Sequence, residues 1–270
     1  MNNKESTMSK KKVFGTKEWS DISSNCQDGC ENDCKYCYAK ASAVSGGRRT
    51  VEDWKENRPA FRKMSKAVRH SPCKVMFPTT HDIVPDNLEL CSKAIQKLLD
   101  AGHELLIVSK PHFECIEYIC DRFGGYSDRI LFRFTIGSAS DTVLTHWEPN
   151  APCFAERIAC LEHAFYSGFK TSVSCEPMLD DNIGAVVSAA ENLITDAIWL
   201  GKMNSAYDRL AINGGTDEDV DILDILLQTQ SDDRIFELYE TYKDHPKIKW
   251  KESIKSVVGI EIPTEAGLDI

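Results

Sequence analysis

CKVMFPTTHDIVPDNLELCSKAIQKLLDAGHELLIVSK (residues 73–110) is the stretch whose reading decides the fold. CKVMFPTT (73–80) is an apolar run that ends in polar residues, the pattern of a buried strand. NLELCSKAIQKLLDAG (87–102) sets Leu88, Cys91, Ile95, Leu98 and Leu99 on one helical face, with Gly102 as the stop. HELLIVSK (103–110) is a second strand. The unit is therefore β-α-β, and a connection of this length joins parallel strands.

The same alternation continues toward the C-terminus. FECIEYICDRF (113–123) reads as helix, RILFRFTIGS (129–138) as strand and ERIACLEHAFYSG (156–168) as helix. KTSVSCEPML (170–179) is a strand, IGAVVSAAENLI (183–194) a helix and DAIWLGKMN (196–204) a strand. An acidic helical region at 216–243 leads to a last strand candidate, KIKWKES (247–253). Near-continuous apolar strands separated by helices imply a parallel sheet buried on both faces. Five such units and a strand near the crowded cysteines predict an α/β fold, a partial (β/α)6 TIM-like barrel of parallel strands with outer helices. An open doubly wound sheet is the alternative, but no glycine-rich phosphate loop follows the first strand.

In such folds the C-terminal strand ends carry the chemistry. Here they read Thr79-Thr80-His81-Asp82, Ser109-Lys110, Gly137-Ser138, Ser174-Cys175-Glu176 and Lys202-Met203-Asn204. Five polar ends on one rim point to a polar substrate pocket. Arg133 lies mid-strand, where an unpaired charge is costly, so it either points into the barrel at an anionic group or pairs with a carboxylate such as Glu176. Phe14, Trp19 and Trp250 read as packing residues.

Composition bounds the function. The 270 residues carry 32 Lys and Arg against 42 Asp and Glu, a net charge of −10, unlike a non-specific nucleic-acid binder. Asp217, Glu218, Asp219, Asp221, Asp224, Asp232 and Asp233 read as a solvated helix face. No apolar run is long enough to span a bilayer, and no apolar segment follows the basic start, so a cytoplasmic protein without a membrane partner is expected. The expected organisation is a polar tail (1–18), a barrel core (19–254) with a cysteine loop at 26–38, and a C-terminal extension (255–270).

Four of the eleven cysteines fall within twelve positions, Cys26, Cys30, Cys34 and Cys37, while the other seven are scattered. Such crowding in a chain without a secretory signal favours metal over disulfides. Three cysteines around a four-iron cubane leave one iron free for a small molecule, whereas four would close it. Two other classes use Cys26 as a fourth ligand: a zinc-stabilised binding module and an iron–sulfur electron-transfer protein. Cys26 otherwise reads as a redox partner or a bystander. Gly29, Asn32 and Asp33 tolerate the backbone angles of a loop curling around a cluster.

Cys30-x3-Cys34-x-Tyr36-Cys37, within GCENDCKYCYA, resembles the signature of the radical S-adenosylmethionine (SAM) superfamily, and specifically the branch near spore photoproduct lyase. PTTHD, VSKP, RFTIGS and TSVSCEPM fall where that branch places its strands, so the resemblance covers residues 19–204. It implies a [4Fe–4S] cluster on Cys30, Cys34 and Cys37, and reductive cleavage of SAM to a 5′-deoxyadenosyl radical that abstracts hydrogen from a substrate. Tyr36 would lie by the adenine, largely through its backbone. Thr79, Thr80 and His81 stand where the superfamily places a GGE-like segment for the methionyl amino group, a departure from its pattern. Lys110 would pair with the SAM carboxylate, Ser138 with ribose or carboxylate, and Glu176 with ribose hydroxyls or substrate. Cys175 is the candidate hydrogen donor, although strand cysteines are usually core residues. The branch implies a nucleic-acid component as substrate, by lesion reversal or base modification, with a nucleotide, a peptide or a partner protein as other candidates. An external reductant such as flavodoxin or ferredoxin is expected.

Overall fold

The computed structural model describes residues 12–268 and residue 270. Its centre is a seven-stranded parallel sheet built from β1 (Ile22–Ser23), β4 (Lys74–Phe77), β5 (Glu104–Ser109), β6 (Ile130–Thr135), β7 (Lys170–Cys175), β8 (Ile198–Leu200) and β9 (Ile248–Trp250). The strands lie side by side in chain order, each parallel to the next, and β1 does not pair with β9. The sheet is thus a partial barrel, and its seventh strand, β9, lies within the last strand candidate at 247–253. A two-stranded antiparallel pair, β2 (Gln27–Asp28) and β3 (Arg58–Pro59), stands apart beside the cysteine loop.

The helices follow the strands. They are α1 (Tyr38–Ser45), α2 (Arg62–Val68), α3 (Leu88–Asp100), α4 (Phe113–Phe123), α5 (Asp141–Trp147), α6 (Phe154–Tyr166), α7 (Ile183–Ala190), α8 (Ala206–Ile212), α9 (Asp217–Thr229), α10 (Asp232–Tyr242) and α11 (Glu252–Val258). The predicted helix at 113–123 coincides with α4. The acidic region splits into α9 and α10, with Ser231 preceding α10. On α4, Cys115 and Cys120 are both buried in one core despite their spacing of five, because the buried stripe is wide enough to take Ile116 and Ile119 as well.

Period-two alternation sorts the strand side chains. Val75, Phe77, Leu105, Ile107, Phe132, Phe134, Val173, Ile198 and Leu200 pack under the helices in the main core. Met76, Leu106 and Trp199 face the barrel interior, where Trp19 joins them. Arg133 also faces inward. Its Nε donates to Ser172 Oγ at 2.9 Å, its Nη2 lies 2.8 Å from Asp196, and its guanidinium stacks over Trp19 and Trp199. Asp196 is thus a carboxylate partner of Arg133.

The gap between β1 and β9 is bridged by the segment before β1. Glu18 and Trp19 are buried, and Trp19 meets Trp199 edge-on with ring centroids 5.7 Å apart. Lys251 Nζ lies 2.7 Å from Glu18 Oε1 and donates to Gly15 O at 3.1 Å. The C-terminal residues strap this segment down: the Val13 amide donates to Pro263 O and the Gly267 amide to Lys17 O. Residues 13–18 and 260–267 are thus structural parts of the barrel.

Three carboxylates, Glu18, Glu176 and Glu252, share Lys251. Burial, and a hydrogen bond with Glu252, push the Glu18 carboxyl up to about 8. A carboxyl raised by folding stabilises the native state most below its ordinary value, and that contribution is lost as pH rises through the folded value. Thermal unfolding of Glu18→Gln against the parent between about pH 5 and about pH 8 checks this. The parent is expected to lose Tm relative to the variant across that window; parallel curves would remove Glu18 from the account.

Candidate active site at the mouth of the partial barrel

A cavity of about 460 Å³ opens at the C-terminal ends of the strands. Cys30, Cys34 and Cys37 line it together with Tyr36, Thr79, Thr80, His81, Lys110 and Glu176. Nine residues singled out in the sequence therefore meet in one place. Cys26 does not join them. It is fully buried, with Sγ 3.7 Å from Cys91 Sγ and 3.9 Å from His81 Nε2. A hydrogen bond from Cys91, opposed by burial and aided by His81, pulls its thiol down to about 6. With Cys26 turned toward α3, the loop offers three thiols to the cavity.

The loop is held on every side. The Cys30 amide donates to Trp54 O at 3.0 Å and the Lys35 amide to Trp147 O at 2.9 Å. Asn213 Nδ2 donates to the carbonyls of Lys35 and Cys37 at 2.8 and 3.0 Å. Lys35 Nζ pairs with Asp219, which also caps α9 through Thr216. Asp219 is thus the exception in the acidic run; Asp217, Glu218, Asp221, Asp224, Asp232 and Asp233 are exposed. Gly29 turns at φ +106°, and a Cβ there would lie 2.2 Å from Glu56 O, so the turn requires glycine.

Asp82 ties this loop to the sheet. Its Oδ2 accepts from Asn32 Nδ2 at 2.9 Å, and its Oδ1 accepts from Ser109 Oγ at 3.1 Å and the Lys110 amide at 2.9 Å. Burial alone would raise this carboxyl, but Lys110 and these donors hold it below the usual carboxylate range. Lys110 Nζ lies 3.6 Å from Asp82, 3.9 Å from Glu148 and 5.8 Å from the centre of the Tyr36 ring. Burial opposes its charge, yet Asp82, Cys34, Tyr36 and Glu148 hold the ammonium well above its ordinary value. The Tyr36 phenol donates to Glu148, so its hydroxyl is engaged on the wall.

Burial pushes the thiols of Cys30, Cys34 and Cys37 up from the ordinary cysteine value. A metal-bound cysteine is a thiolate, so loading this site releases protons. The donor set fits an iron–sulfur cluster: three free thiols face one cavity, beside a buried lysine, with the Lys40 amide donating to Cys37 Sγ at 3.4 Å. Among the described residues, no three His, Cys, Asp or Glu side chains gather on a single-ion site.

Two expected site residues lie elsewhere. Ser138 is buried off the cavity and donates to Asp180, with its Oγ accepting from the Ser140 amide. Cys175 shares the outward register of Val173 and packs under the helices, where burial raises its thiol. It is therefore in no position to donate hydrogen into the cavity. Its neighbour Glu176 does face the cavity, 3.4 Å from Lys251. Asp82 stood at a recognised strand end and Asn32 was read only as a turn residue of the loop, whereas Glu148 and Asn213 carry no local signal.

No family model matches the sequence, and no curated protein does. Solved structures do match. Spore photoproduct lyase complexed with dinucleoside spore photoproduct aligns at 16% identity and TM-score 0.50, over 83% of this chain and 74% of that one. A mutant of that lyase with bound AdoMet and dinucleoside spore photoproduct aligns at 15% identity and TM-score 0.52, over 90% and 79%. SuiB of Streptococcus suis bound to S-adenosylmethionine aligns at 10% identity and TM-score 0.53, over 92% of this chain and 54% of SuiB. The chain therefore has the fold of spore photoproduct lyase and of the matching half of SuiB, the fold that the cysteine signature implied.

Replacing Asp82 with Ala removes the acceptor of four donors, Asn32, Ser109, the Lys110 amide and the Cys30 thiol, and one of the two carboxylates beside Lys110. Denaturant unfolding of the metal-free protein is expected to show a loss of about 3–5 kcal/mol. A loss below about 1 kcal/mol would mean that Asp82 does not tie the loop to the sheet.

Proposed function

We propose that the chain is a radical SAM enzyme, of lyase or modification type, whose [4Fe–4S] cluster is held by Cys30, Cys34 and Cys37. The observation that carries this reading is that these three cysteines face one cavity beside Lys110 while Cys26 is buried against Cys91. A closed four-cysteine site, for zinc or for electron transfer alone, needs Cys26 on the same side. The fold shared with two proteins whose structures contain S-adenosylmethionine supports the same reading.

When bound, the cluster would supply the electron that splits the sulfonium of SAM into methionine and a 5′-deoxyadenosyl radical. The chain's own residues bind and orient. Lys110 offers its ammonium to the SAM carboxylate, its two internal carboxylates standing at 3.6 and 3.9 Å rather than in tight contact. Thr79, Thr80 and His81 form the wall for the methionyl amino group. The Tyr36 backbone flanks the adenine, since its phenol is engaged by Glu148. Glu176 faces the cavity as acceptor for ribose hydroxyls or a substrate donor. At about 460 Å³ the site is of ligand-binding size.

The substrate proposed is a nucleic-acid component, in line with the dinucleoside carried by one structural neighbour; SuiB has been solved with a precursor peptide. The reductant would be an external flavodoxin or ferredoxin, and the setting the cytoplasm. No helix among the described residues is long and apolar enough to cross a membrane. Residues 26–38 serve as the cluster loop of a single catalytic core.

Anaerobic reconstitution with iron and sulfide, reduction with SAM present and an assay for 5′-deoxyadenosine test the reading. The parent and Cys26→Ala are expected to form the product, and Cys34→Ala to lose it by at least about tenfold, a change of about 1.4 kcal/mol in the barrier. Cluster loss in Cys26→Ala would overturn the three-cysteine assignment.

A further inference from the structure

Glu148 lies outside every motif, between α5 and α6. Its side chain is 0% exposed, and so is that of Arg157 on α6, whose Nη2 lies 2.5 Å from Glu148 Oε2. Arg157 also donates to Pro152 O at 2.8 Å and Thr135 O at 3.1 Å, which fixes the guanidinium from behind. The other carboxylate oxygen faces the cysteine loop. It accepts from the Tyr36 phenol and stands 3.9 Å from Lys110 Nζ. Tyr36 sits between Cys34 and Cys37, so anchoring its hydroxyl holds the segment that carries two of the three thiols.

Stability alone does not account for such a pair. A buried ion pair is often no more stabilising than two apolar residues of the same volume. This pair instead completes a wall of four buried charges, Asp82 and Glu148 against Lys110 and Arg157. The wall is neutral as it stands, and buried or partly buried charges are screened less than charges at the surface. The potential of an iron–sulfur cluster responds to net charge and hydrogen bonding around it.

We propose that Glu148 and Arg157 are positioning residues that hold Tyr36 and Lys110 against the cysteine loop, and that their opposite charges set the reduction potential of the cluster bound there. This inference rests on the cluster assignment made above. Removing an anion beside the cluster favours its reduced, more negative state and raises the potential. Removing a cation lowers it. Removing both leaves the wall neutral again.

The test is a redox titration, followed by electron paramagnetic resonance, of the reconstituted parent, Glu148→Gln, Arg157→Met and the double variant, with thermal unfolding of each. The expected result is an upward shift for Glu148→Gln, a downward shift for Arg157→Met and a return toward the parent value in the double variant. Shifts of the same sign, or none, alongside a fall in Tm would overturn the proposal and leave the pair a packing element. Should a single variant fail to fold, Glu148→Asp keeps the charge and shortens the reach to Tyr36. An altered line shape at the parent potential is then expected, and a parent line shape overturns the positioning role. A parent protein that takes up no cluster overturns the cluster assignment itself, whatever the variants do.

Discussion

The structure depends on one buried carboxylate, Asp82, at the end of the second strand of the sheet. Its two oxygens serve different elements: one takes the Asn32 amide of the cysteine loop, the other the Ser109 hydroxyl and the Lys110 backbone at the end of the neighbouring strand. A carboxylate stripped of water needs such donors and a cation, and Lys110 supplies the cation at 3.6 Å. The interaction therefore fixes at once the loop that carries the thiols and the ammonium that faces the same cavity. Because the donors to Asp82 come from the cysteine loop on one side and from the end of β5 on the other, a shift of either would leave a buried polar group without its partner.

The rest of the barrel mouth is organised by the same rule. Lys251 gathers Glu18, Glu176 and Glu252 where the sheet stays open, and in doing so draws the segment before β1 across the gap. Arg133 settles between two tryptophans with Asp196 and Ser172. Lys110 with Asp82, Arg133 with Asp196 and Lys251 with Glu18 pair across elements distant in sequence, so they specify which strand end meets which segment.

The fold was largely legible in the sequence because parallel strands buried on both faces leave unmistakable apolar runs, as in ELLIVS and ILFRFT. The three cysteines were legible because they crowd within eight positions of one loop. Ser138 and Cys175 were misplaced for one physical reason: reaching a strand's C-terminal end does not decide which face a side chain takes. Cys175 has the parity of Val173 and Phe134's partner layer, under the helices, and strict counting of alternation along KTSVSC would have shown it. Glu148, Asn213 and the partnership of Lys251 with Glu18 could not be read, because each depends on elements more than a hundred residues apart coming together. The polar run at 1–12 masked the start of the packed segment, in which Trp19 meets Trp199 of β8 and Glu18 pairs with Lys251 just after β9.

The measurement that bears most directly on the central claim is electron paramagnetic resonance of the anaerobically reconstituted, reduced protein with and without SAM. A three-cysteine site with an open iron predicts a [4Fe–4S] signal whose shape changes when SAM is added. A signal indifferent to SAM, or a protein that binds zinc and assembles no cluster, would contradict it.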